Sequence, residues 1–267
     1  IENGLLMEHS ASMDNFTQSS LDFYQGPLAI PFDEGDVCLN YDEDALEAAN
    51  MTVPTSLWNL TEPEWEGKMA FPSPMTSSPG RAFLTATVDY FMHSPGNESG
   101  NMSQWWNEVA NNGAIFTSGW TEAYETYYTG GYGEWTEGYL GGAYLTVSYC
   151  HSPGVEAFYS ENYTHSTSLV LPHASFHQVE YAGIINGASQ VEAANLFLEF
   201  LTSPEINVNM PENNLMYSIL QGTDLPQTDG YRHHADEAIL SDTITQQMIE
   251  QSMDGWLALW QAAIQTE

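Results

Sequence analysis

Four groups of residues in this 267-residue chain have side chains and spacings that chemistry uses. Ser77, Ser78, Pro79 and Gly80 open an apolar-periodic run. At a helix start, unbonded backbone N–H groups and two hydroxyls make a site for a phosphate, carboxylate or hydroxyl group, or simply a cap. Residues 116 to 149 crowd ten aromatic rings between glycines, in a chain that is 13% aromatic overall. That density serves either a packed core or a platform for a flat ligand. Trp120 favours the platform, because it follows Gly119 and precedes the polar Thr121 and Glu122.

The other two groups have plainer explanations. Glu122, Glu134 and Glu137 lie among the rings and suit a glycosidase acid/base pair beside stacking platforms, but carboxylates occur throughout the chain. His173 and His177 with Glu180, or the pair His233 and His234, are metal-ligand types. The first set reads as strand, where residues four apart share a face but stand far apart, which favours solvent-facing or capping histidines. There is no G-x-S-x-G elbow, H-E-x-x-H helix, Walker loop or dinucleotide fingerprint. No catalytic residue, no metal and no cofactor is therefore assigned.

Composition narrows the partners. Thirty-six acidic residues face three basic ones, Lys68, Arg81 and Arg232, for a formal charge of −33. Neutralising nucleic-acid phosphates or an anionic membrane takes clustered Lys and Arg, which this chain lacks. Such acidity suits a surface facing high salt or the outside of a cell, a halophilic pattern in which screening relieves self-repulsion. Cys38 and Cys150 make no metal spacing and at most one disulfide; two buried thiols are expected. Six N-x-[ST] sequons, at Asn15, Asn50, Asn59, Asn97, Asn101 and Asn162, fit an exported protein. No apolar run of 18 residues occurs.

These residues need elements to position them. The hydrophobic periods predict strands at "DVCLNYD", "KMAFP", "AYLTVSY" and "FHQVEYAGIING". They predict helices at "EDALEAAN", "SSPGRAFLTATVDYFMH", "MSQWWNEVANNG", "SQVEAANLFLEFLTSPE" and "SDTITQQMIEQSMDGWLALWQAAIQ". The fourth helix shows an apolar face of Val191, Ala194, Leu198 and Leu201, the last one of Ile249, Met253, Trp256, Trp260 and Ile264. The stretch "EAFYSENYTHSTSLVLP" reads as surface. Alternating strands and helices predict an α/β fold with largely parallel sheets.

The motifs "SSPGRAFL", "GWTEAY", "VSYCHSP", "FHQVEYAG" and "ANLFLEFLTSPE", in this order and at these intervals, resemble the thiamine-binding substrate-binding proteins of ABC importers. "DEGDVCLNYDEDAL" and "WLALWQAAI" extend the resemblance over nearly the whole chain. It implies a two-lobed type II periplasmic binding fold with ligand in the cleft between lobes. Lobe 1 would comprise 1–36 and 180–267, lobe 2 would comprise 37–179, and hinge strands would lie near 36–42 and 177–184.

The ligand contacts it implies are Ser77, Ser78 and Trp120, then Tyr149, Cys150, His151, Ser152 and Pro153 of "VSYCHSP". Glu2 and Asn3 match an Asp-Asn segment. Leu215 stands where some relatives carry Trp, and Tyr217 is retained. His151 replaces a residue of a "YTTSP"-like loop and is placed to alter selectivity. Family members begin with an earlier strand, helix and loop that are absent here, so lobe 1 is expected to leave a sheet edge and apolar surface exposed.

The implied function is capture of thiamine or its phosphates outside the cytoplasm by a monomer that delivers it to a membrane permease, without catalysis. Thiamine's thiazolium charge and flat pyrimidine suit aromatic faces, at roughly 0.5–2 kcal/mol per desolvated contact. The glycines would let the ring-bearing loops close over the ligand. Alternatives are another cationic or polar solute, such as a quaternary amine or iron chelate, and a carbohydrate-active enzyme.

Overall fold

The computed structural model describes residues 4–22, 24, 26–93, 101–160, 164–214, 216–224 and 244–265. Glu2, Asn3, Leu215, His233 and His234 lie outside these residues. The chain divides into two compact units, Ile1–Gly35 with Gln178–Gln227, and Asp36–His177 with Thr228–Glu267.

Its first elements are β1 (Leu6–Met7), α1 (Gln18–Asp22), β2 (Ile30–Asp42), α2 (Glu43–Ala49), β3 (Met69–Pro72), α3 (Ser78–His93), α4 (Met102–Asn111), β4 (Ile115–Thr117) and β5 (Leu145–Tyr149). After these come α5 (Ser152–Tyr159), β6 (Ser166–Leu169), β7 (Phe176–Ala182), β8 (Ile184–Ile185), α6 (Val191–Leu201), α7 (Pro204–Asn207), α8 (Met210–Asn213) and α9 (Gln246–Ala263). Two strands carry the chain from one unit to the other: β2 passes the boundary after Gly35 and β7 passes it after His177.

In the first unit β1 pairs antiparallel with β8, Leu6 opposite Ile185. Phe16, Ile30, Ile184, Leu198, Ile219 and Leu220 form a small core, with Val191 and Ala194 of α6 packed against it. On the same helix Leu196, Phe197 and Phe200 are more than half exposed.

The second unit holds the larger core. Its sheet runs β4-β3-β5-β2-β6. β3 is parallel to β4 and β5, while β2 is antiparallel to β5 and β6. The expectation of largely parallel sheets is thus corrected to a mixed one. A strand that only passes through a unit escapes the right-handed crossover that keeps βαβ strands parallel. Phe71 and Phe83 stack at 8°, and both meet Trp105 and Trp106 edge-to-face beside the sheet.

α9 corrects a second expectation, since it belongs to this unit and not with 180–227. Its apolar stripe predicted burial but not a partner. The partner is α4 together with β4: Trp260 meets Trp106 at 6.2 Å and Phe116 at 5.8 Å, and Asn107 Nδ2 donates to the Ala263 carbonyl. The expected surface after residue 155 is corrected too. Half of α5 lies there, with Glu156 and Ala157 buried, as does β6, with Ser166, Thr167 and Leu169 buried.

Cys38 and Cys150 are both buried, as expected, but are joined in a disulfide across 112 residues, with Cα atoms 5.4 Å apart. β-sheet register brings them together: Cys38 lies opposite Ser148, and Cys150 N–H donates to the Asp36 carbonyl. Four of the sequon asparagines are turn and cap residues. Asn59 and Asn101 cap helices with their side chains, and Asn15 and Asn50 adopt left-handed φ of 66° and 53°, which Asn tolerates better than most residues.

Candidate functional site

The candidate site lies where β3, β4 and β5 end. These three parallel strands deliver three loops at their carboxyl ends, the usual place for ligands on an open α/β sheet. The loop after β3 holds Ser77 and Ser78, the loop after β4 holds Trp120, and the turn after β5 holds Cys150 to Pro153. Pairing of Pro72 with Thr117 sets the first two side by side. Ser73 N–H then donates to Thr117 O at 3.0 Å, and Thr76 Oγ1 to Ser118 O at 2.6 Å.

Ser77 caps α3. Its Oγ accepts the Gly80 N–H at 3.3 Å and its carbonyl accepts from Arg81. Ser78, at the first helical position, is exposed. The turn is tight because Gly80 lies against β3: a Cβ there would clash with the Pro72 carbonyl oxygen and sit 2.8 Å from the Ser73 carbonyl. Both are backbone and cannot swing away. Gly80→Ala should therefore lower stability by about 1–3 kcal/mol and displace the Ser77–Ser78 loop. Thermal melting and a crystal structure of the variant would check this, and an unchanged melting temperature would refute the close packing.

Trp120 is half-buried and firmly held. Its indole N–H donates to Ser148 Oγ at 2.8 Å, and Ser148 shares a 2.7 Å hydrogen bond with Ser152 Oγ. One face stacks on Tyr124, centroids 5.0 Å apart at 20°, and Tyr149 stands 6.3 Å away at 54°. Tyr124 belongs to a π-helix over Glu122–Tyr127; insertions of that kind cluster at functional sites. Tyr124 Oη donates to Glu156 Oε1 at 2.9 Å. Burial pushes the Glu156 carboxyl up to about 7, against the lowering effect of the Tyr124 hydroxyl.

The aromatic window therefore does two jobs. Tyr124 and Tyr128 are core, at 1% and 0% exposure, while Trp120 and Tyr149 keep part of their surface open. At least one glycine serves packing where loop freedom was expected: a Cβ on Gly133 would overlap the Glu125 backbone.

Ser77, Ser78, Trp120, Tyr149 and Ser152 are thus gathered within one unit. Ser152 and His151 are buried, at 1% and 0% exposure, and Pro153 is buried beside them. The Cys150 sulfur, bonded to Cys38, offers no thiol. Tyr217 is in the other unit, where its N–H and carbonyl pair with Glu34. Glu134 and Glu137 are exposed. His177 Nδ1 lies 3.1 Å from Asp36, and His173 bonds a different carboxylate, Asp89. His173 also occupies a turn with φ of 62°, not the expected strand.

Sequence reasoning passed over Ser148 and Tyr124. Ser148 did leave a signal: with Thr146 it puts two hydroxyls on one face of a buried strand, and a buried hydroxyl needs a partner. Tyr124 left none, because spacing cannot tell a ring that supports another from one that fills a core.

Comparison with known proteins agrees with this architecture. Residues 1–131 match the family model described as bacterial extracellular solute-binding protein. A solved periplasmic thiamin binding protein superimposes on 99% of this chain and 74% of its own, with TM-score 0.76 and 23% identity. Iron-bound HitA from Pseudomonas aeruginosa does so on 98% of this chain and 77% of its own, with TM-score 0.66 and 14% identity. The likeness to these solved structures gives the chain the two-lobed α/β fold of the periplasmic binding proteins.

Among curated proteins it is similar to the thiamine-binding periplasmic proteins of Salmonella typhimurium and Escherichia coli. It is 26% identical to each over 235 residues, 88% of this chain and 64% of theirs. The chain thus spans just under two thirds of the length of those relatives.

Proposed function

We propose that this chain captures thiamine, or a thiamine phosphate, outside the cytoplasm and hands it to the membrane permease of an ABC importer without chemical turnover. The observation that carries the proposal is Trp120. It is a half-open indole fixed by Ser148, backed by Tyr124 and faced by Tyr149 at the carboxyl ends of three strands. Thiamine pairs a permanently charged thiazolium with a flat pyrimidine, and a fixed electron-rich ring binds both by cation–π contact and stacking. The Ser77–Ser78 helix start supplies hydroxyls and N–H dipoles for the hydroxyethyl or phosphate end. The likeness to thiamine-binding periplasmic proteins over 88% of the chain supports the same ligand.

An iron chelate is the second reading, supported by the fold shared with iron-bound HitA. Equilibrium dialysis separates the readings. Thiamine should bind saturably at one site per chain and be recovered unchanged, and ferric citrate should not compete. Competition by the chelate, or absence of thiamine binding, would reject the proposal.

A further inference from the structure

Away from the ring site, Asp89, His93 and His173 converge at the carboxyl end of α3. Asp89 and His93 are one helical turn apart and face the same way, and His93 Nδ1 lies 3.1 Å from Asp89 Oδ1 and 2.9 Å from the Asp89 carbonyl oxygen. His173 Nδ1 approaches the other carboxylate oxygen, also at 3.1 Å. The two imidazoles stack, centroids 4.1 Å apart at 7°. One donor atom from each of the three residues falls within 4.8 Å of the other two.

We propose that Asp89, His93 and His173 form a binding site for a single divalent transition cation of the zinc type. Two imidazole nitrogens and one carboxylate oxygen are the donors such an ion prefers, and they leave a fourth position for water. With metal–ligand bonds near 2.0–2.1 Å, neighbouring donors of a tetrahedral site sit about 3.3 Å apart. His93 Nδ1 to Asp89 Oδ1 and His173 Nδ1 to Asp89 Oδ2, each 3.1 Å, are close to that, with one carboxylate oxygen facing each imidazole. Asp89 is held rigidly, its side chain 5% exposed, whereas the two histidines are 29% and 25% exposed. Solvent can therefore deliver the ion.

His173 adds a second, independent sign. It adopts φ of 62° in the turn before β7, closed by the Ala174 N–H to Leu171 carbonyl bond. His enters this region more readily than most residues, and the turn sets its ring beside Asp89. The bound ion would tie the end of α3 to that turn.

The test is calorimetric titration of the whole chain with zinc chloride in about 0.5 M NaCl and a large excess of Mg²⁺, which screens and occupies the exposed carboxylates. One zinc site per chain is expected. His93→Ala and His173→Ala should each weaken it by about tenfold or more, while both variants still unfold cooperatively when metal is absent. Cobalt in the same site should show the visible absorption of four-coordination, lost in His173→Ala. Absence of a stoichiometric site above the Mg²⁺-masked background, or a site weakened less than tenfold in the His93→Ala/His173→Ala double variant, would overturn the proposal.

Discussion

The folded chain should be more stable at pH 5 than at pH 8. Burial raises the Asp33 carboxyl to about 7, helped by the charge of Glu180 and opposed by the Asn214 amide, which donates to Asp33 Oδ2 at 2.6 Å. Burial does the same to Glu156 in the other unit. A carboxyl whose folded pKa exceeds its unfolded value holds its proton better in the native state. The stability it contributes is present below the unfolded pKa and is lost as pH rises through the folded one. The window therefore runs from about 4 to about 7.

A tenfold change in proton affinity corresponds to about 1.36 kcal/mol, so each group can remove roughly 3 kcal/mol between about pH 5 and about pH 7. His165, raised chiefly by its hydrogen bond with Asp42, acts in the same direction. So does the growing self-repulsion of a chain carrying −33 at pH 7, which molar KCl should partly relieve. Urea midpoints from pH 5 to 8 should fall, and Asp33→Asn or Glu156→Gln should flatten the profile of the unit that carries it. A stability maximum at pH 8 would contradict the burial assigned to these carboxyls.

Neither group stands out in the sequence. Asp33 and Glu156 are two of 36 acidic residues, and nothing in their spacing separates a buried acid from an exposed one. Positions governed by local chemistry were readable. Ser77, Pro79 and Gly80 announce a helix start, and Gly119–Trp120 announces an open ring; both hold in the structure. Positions governed by long-range pairing were not. Cys38 and Cys150 meet only because β2 and β5 pair, and α9 shows an apolar stripe without saying which face it covers. His173 read as a strand residue because its turn depends on a single left-handed φ.

Trp120→Ala should weaken thiamine binding by about 2–4 kcal/mol, the scale of an aromatic anchor in a binding interface. The variant removes the stacking face and frees Ser148, whose remaining hydrogen bond is to Ser152. Ser148→Ala keeps the ring but loses its tether, so it should lose nearer ~1 kcal/mol. Ser77→Ala should weaken binding by a similar amount and shift the preference between thiamine and its monophosphate, because it loosens the α3 start. Fluorescence titration of the three variants would rank them. Trp120→Ala binding as tightly as the parent chain would move the ligand away from this ring.

A fixed aromatic site should select a cationic ring, and calorimetric titration of the parent chain with thiamine and with an isosteric analogue whose five-membered ring is uncharged measures that selection. Only the charged ring gains the cation–π contact and the attraction of a chain carrying −33. Thiamine should bind about tenfold or more tighter, a difference of roughly 1.4 kcal/mol, and the gap should shrink in Trp120→Ala. Equal affinity for the charged and neutral rings in the parent chain would contradict the account.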